Sequence, residues 1–182
     1  EMHTSNKKCI VYSFGSHGDD LFESDVLKRN PNCEIHIFDP TSSPKSGWSR
    51  YQYHRYGLRS ELSKHAFKTK RLSHIMSELG HSHVDILKAD IEGTEWTLLN
   101  TEDWSGLRVG QILIELHLWA KKMRMKEFWT EYLFHLERHG FLMQTVEPVS
   151  AVGSAFEVTF LNVNWSPLTN NHTTRFDSQA YF

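Results

Sequence analysis

The chain has 182 residues, a formal net charge of −2 at pH 7, and 39% hydrophobic and 13% aromatic residues. This length gives one domain with a sizeable core, and this apolar content excludes a disordered chain. The densest basic stretch, Lys64 to Arg71, is typical of a solvated face rather than a nucleic-acid groove. No apolar run reaches the ~18 residues of a membrane helix. We therefore expect a globular domain without a nucleic-acid partner and without a membrane span in this segment.

The first strand–helix unit is predicted near the start of the chain. The run Cys9 to Phe14 is rich in β formers and ends at Gly15. Asp19 or Asp20 then caps a helix. The apolar positions of that helix include Leu21, Phe22, Val26 and Leu27.

A second strand, Glu34 to Phe38, alternates in polarity and ends at Asp39-Pro40. A loop follows, and then Tyr51 to Tyr56 as a possible third strand before Gly57-Leu58. The next helix ends at Gly80, and its apolar residues follow the helical period. These residues are Leu72, Ile75, Met76 and Leu79.

The central stretch begins as a buried strand, Val84 to Leu87, and leads into three acids around Gly93. The acids are Asp90, Glu92 and Glu95. Gly93 allows a sharp turn, and Thr94 can cap the helix that follows. Open α/β sheets bind ligands at the carboxyl ends of their strands, and acids beside an apolar strand are costly unless something uses them. We therefore favour a functional site over a solvated acidic loop.

The second half continues the alternation. The apolar strand Gln111 to His117 ends in polar groups, and an amphipathic helix with a core-facing stripe ends at Gly140. That stripe comprises Met125, Phe128, Trp129, Tyr132, Leu133 and Leu136. The strands Phe141 to Val146 and Phe156 to Val163 have no helical pattern between them and should pair antiparallel. We predict a single α/β domain over residues 1–182, with a core at 9–163 and a polar tail at 164–182. Its sheet is doubly wound, mostly parallel and covered on both faces.

The cysteines and glycosylation sequons bear on the compartment. Two cysteines, Cys9 and Cys33, make no disulfide framework, and we expect buried thiols rather than a disulfide. The sequons Asn164-Trp165-Ser166 and Asn171-His172-Thr173 lean weakly towards a secretory lumen. The chain shows no signal peptide and opens almost directly on a strand, which is compatible with removal of an upstream segment.

The first two strand ends indicate a nucleoside-containing cofactor. Gly15 lets a ligand approach the backbone, and Asp39 could accept hydrogen bonds from a ribose diol. A dinucleotide fingerprint needs Gly-x-Gly-x-x-Gly, whereas this loop has only Gly15-x-x-Gly18. S-adenosylmethionine has no phosphate and needs less, so it is the favoured cofactor.

Five runs, taken together, resemble the FkbM-type methyltransferase domain, in particular its eukaryotic methyltransferase-like branch. They are Val11–Gly15, Ile35–Pro40, Tyr56–Leu58, Asp85–Trp96 and Ile114–His117. The specific part is the Lys-x-Asp-x-Glu-Gly-x-Glu core that starts at Lys88, and the resemblance covers roughly residues 9–163. It implies a seven-stranded class I, Rossmann-like methyltransferase sheet with its last strand inserted antiparallel, and S-adenosylmethionine as cofactor.

The resemblance also implies roles for individual residues. Cofactor binding falls to Ser13, Gly15, Asp39, Pro40, Leu58 and Asp90. The catalytic candidates around the acceptor pocket are Asp90, Glu92, Glu115 and His117, with Glu95 in the same polar cluster. Two positions depart from the family pattern: many relatives have Asp where Ser13 stands, and Gly18-Asp19-Asp20 displaces the second loop glycine.

Methyl transfer needs alignment and often a base for the acceptor proton. His117 is the first candidate by its ordinary pKa, followed by Asp90 and Glu92; a satisfied buried histidine is the equal alternative. We assign no metal ligands, although Asp90, Glu92 and His117 could hold a divalent ion.

We expect an S-adenosylmethionine-dependent methyltransferase that methylates an oxygen of a sugar or another small hydroxylated acceptor. The alternative is a degenerate methyltransferase fold that acts as a binding module. Ser13 favours the module, whereas Asp39 and the acidic stretch favour the enzyme. The aromatics Trp48, Tyr51 and Tyr53 could stack on a sugar, or equally belong to the core or surface.

Overall fold

A computed structural model of the chain describes residues 8–59, 67–121, 128–149 and 154–165. In chain order the elements are β1 (Cys9–Phe14), α1 (Leu21–Arg29), β2 (Cys33–Phe38), a 3₁₀ turn (Trp48–Arg50), β3 (Gln52–His54), β4 (Gly57–Leu58), β5 (Thr69–Lys70), α2 (Leu72–Leu79), β6 (Val84–Ala89), α3 (Glu95–Thr101), β7 (Val109–His117), α4 (Leu118–Lys121), a π-helical turn (Phe128–Leu133), α5 (Phe134–Arg138), β8 (Phe141–Pro148) and β9 (Ala155–Asn162). None of the helices in these ranges has the length and apolar character that a membrane crossing requires.

Seven strands form one sheet in the order β3-β2-β1-β6-β7-β9-β8. The pairs from β3 to β7 are parallel, and β9 runs antiparallel to both β7 and β8. The predicted doubly wound sheet with an inserted antiparallel last strand is therefore confirmed. The order in which the chain adds strands reverses between β1 and β6. This is the topological switch point of the sheet, and a ligand crevice is expected there, at the carboxyl ends of these strands.

Core residues cover both faces of the sheet. Along β1, Tyr12 and Phe14 belong to one apolar cluster and Val11 to the other. Successive strand residues point to opposite faces, so a strand buried on both sides becomes a continuous apolar run. Trp48 and Tyr51 lie in the second cluster with Val11, which makes them core residues rather than a sugar-stacking surface.

Most predicted helices appear where the pattern placed them. The helix α2 spans 72–79 and ends at Gly80, whose φ of +71° is the left-handed cap that glycine favours. The later helix is a π turn followed by α5, and its predicted member Met125 lies outside the described residues.

The apolar face expected for α1 is wrong at its first residue. Leu21 is 76% exposed, whereas Glu23, Val26 and Leu27 are buried. Residues 23, 26 and 27 share one helical face by their i, i+3, i+4 spacing, and Leu21 falls outside it. Asp20 lies at the N-cap but makes no side-chain cap bond; Asp19, just before it, accepts a hydrogen bond from the Leu21 amide through Oδ1 at 2.7 Å.

The expectation of free thiols is also wrong, because Cys9 and Cys33 form a disulfide. The two residues are direct partners in the parallel β1–β2 pair, with Cα atoms 4.3 Å apart. They are 24 positions apart in sequence, so only strand pairing makes them neighbours.

Candidate functional site

A cavity lies over the carboxyl ends of β1, β2 and β6. Its lining consists of Gly15, His17, Phe38, Asp39, Pro40, Thr41, Gly57, Leu58, Phe67, Asp90, Ile91, Glu92 and Thr94. Five of the six residues predicted to bind the cofactor are among them, and Ser13 is not. Ser13 is fully buried on the sheet face that α1 covers, beside the Glu23 carboxyl, whose pKa is raised by burial.

Gly15 is required by its surroundings. Its φ is +79°, and a Cβ atom there would lie 1.7 Å from the Asp90 carbonyl oxygen. The Gly15 amide donates to Phe38 O at 3.0 Å, and Lys88 Nζ donates to Gly15 O at 2.6 Å. Any side chain at this position would therefore push apart the ends of β1 and β6.

The Asp39 carboxylate is almost fully engaged by the protein itself. Oδ1 accepts bonds from Thr41 N, Thr41 Oγ1 and Ser42 N, and Oδ2 from Ser16 N, Ser16 Oγ, His17 N and Ser42 Oγ. Burial would raise the pKa of Asp39, but the bonds from Thr41, Ser42 and Ser16 outweigh it and hold that pKa well below its ordinary value. Asp39 thus ties the glycine loop after β1 to the loop after β2. A ribose diol there would have to share oxygens that already have protein donors.

The acidic turn after β6 is stabilised by a hydrogen bond to Glu95. Glu95 is fully buried, and its Oε1 accepts a bond from the Ile91 amide at 2.7 Å. Thr94 lies at the predicted N-cap but makes no side-chain cap bond, because its backbone is helical rather than extended. Glu92 has a φ of +54° and a side chain that is 77% exposed. A non-glycine residue held in this conformation is typical of a functional turn.

His117 lies at the end of β7, among carboxylates. Its Nδ1 donates to Glu95 Oε1 at 3.0 Å, and its Nε2 lies 3.5 Å from Glu115 Oε1 and 3.6 Å from Glu92 Oε2. The bond to Glu95 is the main cause that raises the pKa of His117 to about 9, against the opposing effect of burial. Both ring nitrogens of His117 therefore carry a proton at pH 7. At that pH the ring donates hydrogen bonds and does not take a proton from the methyl acceptor.

Asp90 and Glu115 join His117 at the edge of the cavity. One ligating atom from each of these three side chains lies within 4.8 Å of the others. Burial and the charge of Asp90 raise the pKa of Glu115. Glu115 thus takes the position that the sequence reasoning gave to Glu92 in a possible cation site. A divalent ion there would have to displace the His117 proton, so the donor set favours holding a proton at neutral pH.

The interpretation of the sequence assigned no role at this site to two residues that the structure places there. Lys88 belongs to the Lys-x-Asp-x-Glu core, and its bond to Gly15 O could have been suspected from that motif. Phe67 lines the cavity from the stretch interpreted as a solvated basic face, where no local pattern marks it.

The strand order, the antiparallel last strand and a cavity at the switch point define a class I, Rossmann-like methyltransferase fold. Residues 1–162 match the family described as "Methyltransferase domain", and the chain belongs to that family. The FkbM-type subfamily is a finer assignment that this match does not make.

Curated relatives agree with this family, and a solved structure agrees with the fold. The chain is 29% identical to "Probable methyltransferase-like protein 24" of Rattus norvegicus, over 87% of this chain and 52% of the relative. It is also 29% identical to the Homo sapiens protein of that name, over 88% of this chain and 52% of the relative. The chain thus spans about half the length of these relatives. The structure titled "Methanococcus jannaschii fibrillarin pre-rRNA processing protein" superimposes with a TM-score of 0.53 at 14% identity, covering 88% of this chain and 69% of that one, and it supports the fold.

Proposed function

We propose that this methyltransferase domain uses S-adenosylmethionine to methylate an oxygen of a sugar or another small hydroxylated acceptor. The observation that carries the proposal is Asp90. Its backbone meets Gly15 at the floor of the cavity, and its side chain belongs to the cluster with Glu115 and His117. One residue thus joins the cavity to groups that can handle a proton.

The cavity lining suits a nucleoside with a sulfonium better than a dinucleotide. Pro40, Leu58 and Phe67 offer apolar surface for an aromatic base, and Asp90 and Glu92 offer negative charge. Two neighbouring carboxylates favour a cation and repel a diphosphate. Asp39 holds the glycine loop in place and would meet the ribose through the oxygens that it shares with Ser16 and Ser42.

On the acceptor side we assign the base to the carboxylates. The bound cofactor supplies the electrophilic methyl group, and the acceptor oxygen loses a proton as it takes that group. Glu115 suits this task because its raised pKa brings proton affinity closer to neutral pH. The His117 imidazolium, fixed by Glu95, holds the carboxylate of Glu115 towards Asp90.

A binding module without catalysis is the second candidate. The saturated Asp39 carboxylate and the buried Ser13 favour it, because neither side chain then offers a free polar group to a bound cofactor. A turnover assay separates the two. We would incubate the chain with S-adenosylmethionine and a panel of hydroxylated small molecules, and measure S-adenosylhomocysteine formation.

If the domain is an enzyme, we expect S-adenosylhomocysteine to form only when an acceptor is present. The Asp90→Asn variant should form less of it while its Tm stays the same. Cofactor binding without turnover on any hydroxylated acceptor would contradict the proposed acceptor class. RNA-dependent turnover would contradict it as well. An absence of both binding and turnover in folded protein would favour the module.

We also infer that the domain works in an oxidising compartment. The Cys9–Cys33 disulfide is a bond that persists in secretory lumens and is rare in the cytosol, and the two sequons agree with such a location. Mass spectrometry of the natural protein under thiol-blocking conditions tests this: an intact disulfide supports it, and two blocked thiols contradict it.

A further inference from the structure

A second cluster of chemistry-bearing side chains lies at the opposite end of the sheet from the cavity. Glu34 stands near the start of β2, His36 two residues further on, and His81 in the loop between α2 and β6. Glu34 and His36 share a sheet face because strand residues two apart point the same way. Glu34 Oε1 lies 3.1 Å from His36 Nε2 and 3.9 Å from His81 Nε2.

The other nitrogen of each imidazole already has a partner. His81 Nδ1 lies 2.7 Å from the Tyr12 hydroxyl oxygen, and His36 Nδ1 lies 3.0 Å from His54 Nε2. Metal-binding histidines typically have such an outer partner, which fixes the ring and leaves the second nitrogen for the ion. Here both outer partners leave Nε2 turned towards the same carboxylate.

We propose that Glu34, His36 and His81 bind one divalent ion of the zinc class. Zinc bonds to nitrogen and oxygen ligands of ~2.0–2.1 Å place tetrahedral ligands roughly 3.3 Å apart. The distances of 3.1 and 3.9 Å from Glu34 Oε1 lie on either side of that value, and one ligating atom of each residue lies within 4.8 Å of the others. Two imidazoles and a carboxylate form a donor set typical of zinc.

Gln52 could supply the fourth ligand. The Gln52 side-chain amide lies against the same carboxylate oxygen, with Nε2 2.6 Å from Glu34 Oε1. With that amide turned over, its oxygen would face the ion; otherwise a water completes the set. Lys8 Nζ donates to the other carboxylate oxygen, Oε2, at 3.0 Å and leaves Oε1 for the metal.

Burial supports a cation at this place. The His36 side chain is 1% exposed, so its ring is shielded from water. If Nδ1 keeps the proton in both rings, two lone pairs face the Glu34 carboxylate, and a cation removes that repulsion. The Glu34 and His81 side chains are 20% and 13% exposed, which leaves an entry path.

The site is separate from methyl transfer. Glu34 precedes the cavity residue Phe38 by four strand residues, which is roughly 13 Å along β2. An ion there would fix the loop after α2 to β2, at the end of the sheet where the Cys9–Cys33 disulfide joins the first two strands on the opposite face. We therefore assign it a structural role in holding these elements together.

Zinc titration of the tag-free, chelator-treated chain with its disulfide intact tests the site. Calorimetry should show one ZnCl₂ per chain and a rise in Tm, and Co²⁺ should give the absorption of four-coordinate nitrogen and oxygen ligation. His81→Ala and Glu34→Gln should each weaken binding by more than the ~10–100-fold expected for loss of an outer partner, and Tyr12→Phe should fall within that range.

Two control variants separate this site from other histidines and acids. His74→Ala changes an exposed histidine on α2, and Glu115→Gln changes the cluster beside the cavity; both should bind zinc as the wild type does. His81 lies in a loop, so its variant is expected to fold even if Glu34→Gln does not. The proposal is overturned if zinc neither binds nor raises the Tm of the wild type, or if His81→Ala binds zinc unchanged.

Discussion

Replacing Glu95 with glutamine tests the charge state of the candidate site. Glutamine keeps the shape of the side chain and an oxygen that can accept from the Ile91 amide. It removes the negative charge 3.0 Å from His117 Nδ1, which is the main cause of the raised His117 pKa. We therefore expect the His117 pKa to fall from about 9 towards 6.5 in the variant.

The effect of Glu95→Gln on the free energy of unfolding follows from the difference in the His117 pKa between the folded and unfolded states. A pKa raised from 6.5 to about 9 stabilises the folded state by at most about 3 kcal/mol. This contribution is fully present below pH 6.5 and is lost as the pH rises through about 9. Glu92 and Glu115 keep part of it in the variant, and the variant no longer buries a carboxylate whose Oε2 has no partner among the described residues. We expect Glu95→Gln to lower the free energy of unfolding by about 1–2 kcal/mol at pH 6 and by less at pH 10.

The assay combines an NMR titration of the His117 ring with urea unfolding at several pH values. Glu92→Gln is the matched control, because its carboxylate is exposed and lies 3.6 Å from His117 Nε2; it should move the His117 pKa much less. A wild-type His117 pKa near 6.5 would refute the reasoning. So would a titration that Glu95→Gln leaves unchanged.

Three further variants probe other parts of the account. Asp90→Asn should lower the methyl-transfer rate by ~10²–10⁴-fold while changing cofactor affinity little, and a lower Tm with normal turnover would show a purely structural acid. Asp39→Ala should weaken S-adenosylmethionine binding by roughly 1.5–3 kcal/mol, measured by calorimetry. It should also lower the Tm, because two loops lose their shared acceptor; unchanged affinity would remove Asp39 from the ribose. Cys9→Ser should cost about 2–4 kcal/mol of unfolding free energy in urea, and an unchanged midpoint would show that the disulfide contributes nothing.

The sheet could be predicted because its signals are local. The strands β1, β6 and β7 contain short apolar runs and β2 alternates in polarity, while the period of residues 72–79 identifies a helix without tertiary information. Gly15 was recognisable because a strand that ends in glycine before a helix marks a close backbone approach. The structure supplies the physical reason, which is the Asp90 carbonyl oxygen.

What the sequence could not predict depends on contacts between distant segments. The disulfide follows from the β1–β2 register, and the charge on His117 follows from Glu95, 22 residues away in the chain. The hydrogen bonds that saturate Asp39 come from two loops whose meeting no local pattern encodes. In each case the residue was noticed, but its chemical state depended on neighbours set by the fold.

Calorimetric titration of the folded chain with S-adenosylhomocysteine tests the central claim most directly, with NAD as the comparison ligand. A cavity that joins Gly15, Asp39 and Asp90 over the switch point predicts one bound S-adenosylhomocysteine per chain. It also predicts no heat from NAD at sub-millimolar concentration, because the loop lacks the three-glycine turn for a pyrophosphate. No binding of S-adenosylhomocysteine to folded protein, or equal binding of NAD, would contradict the account.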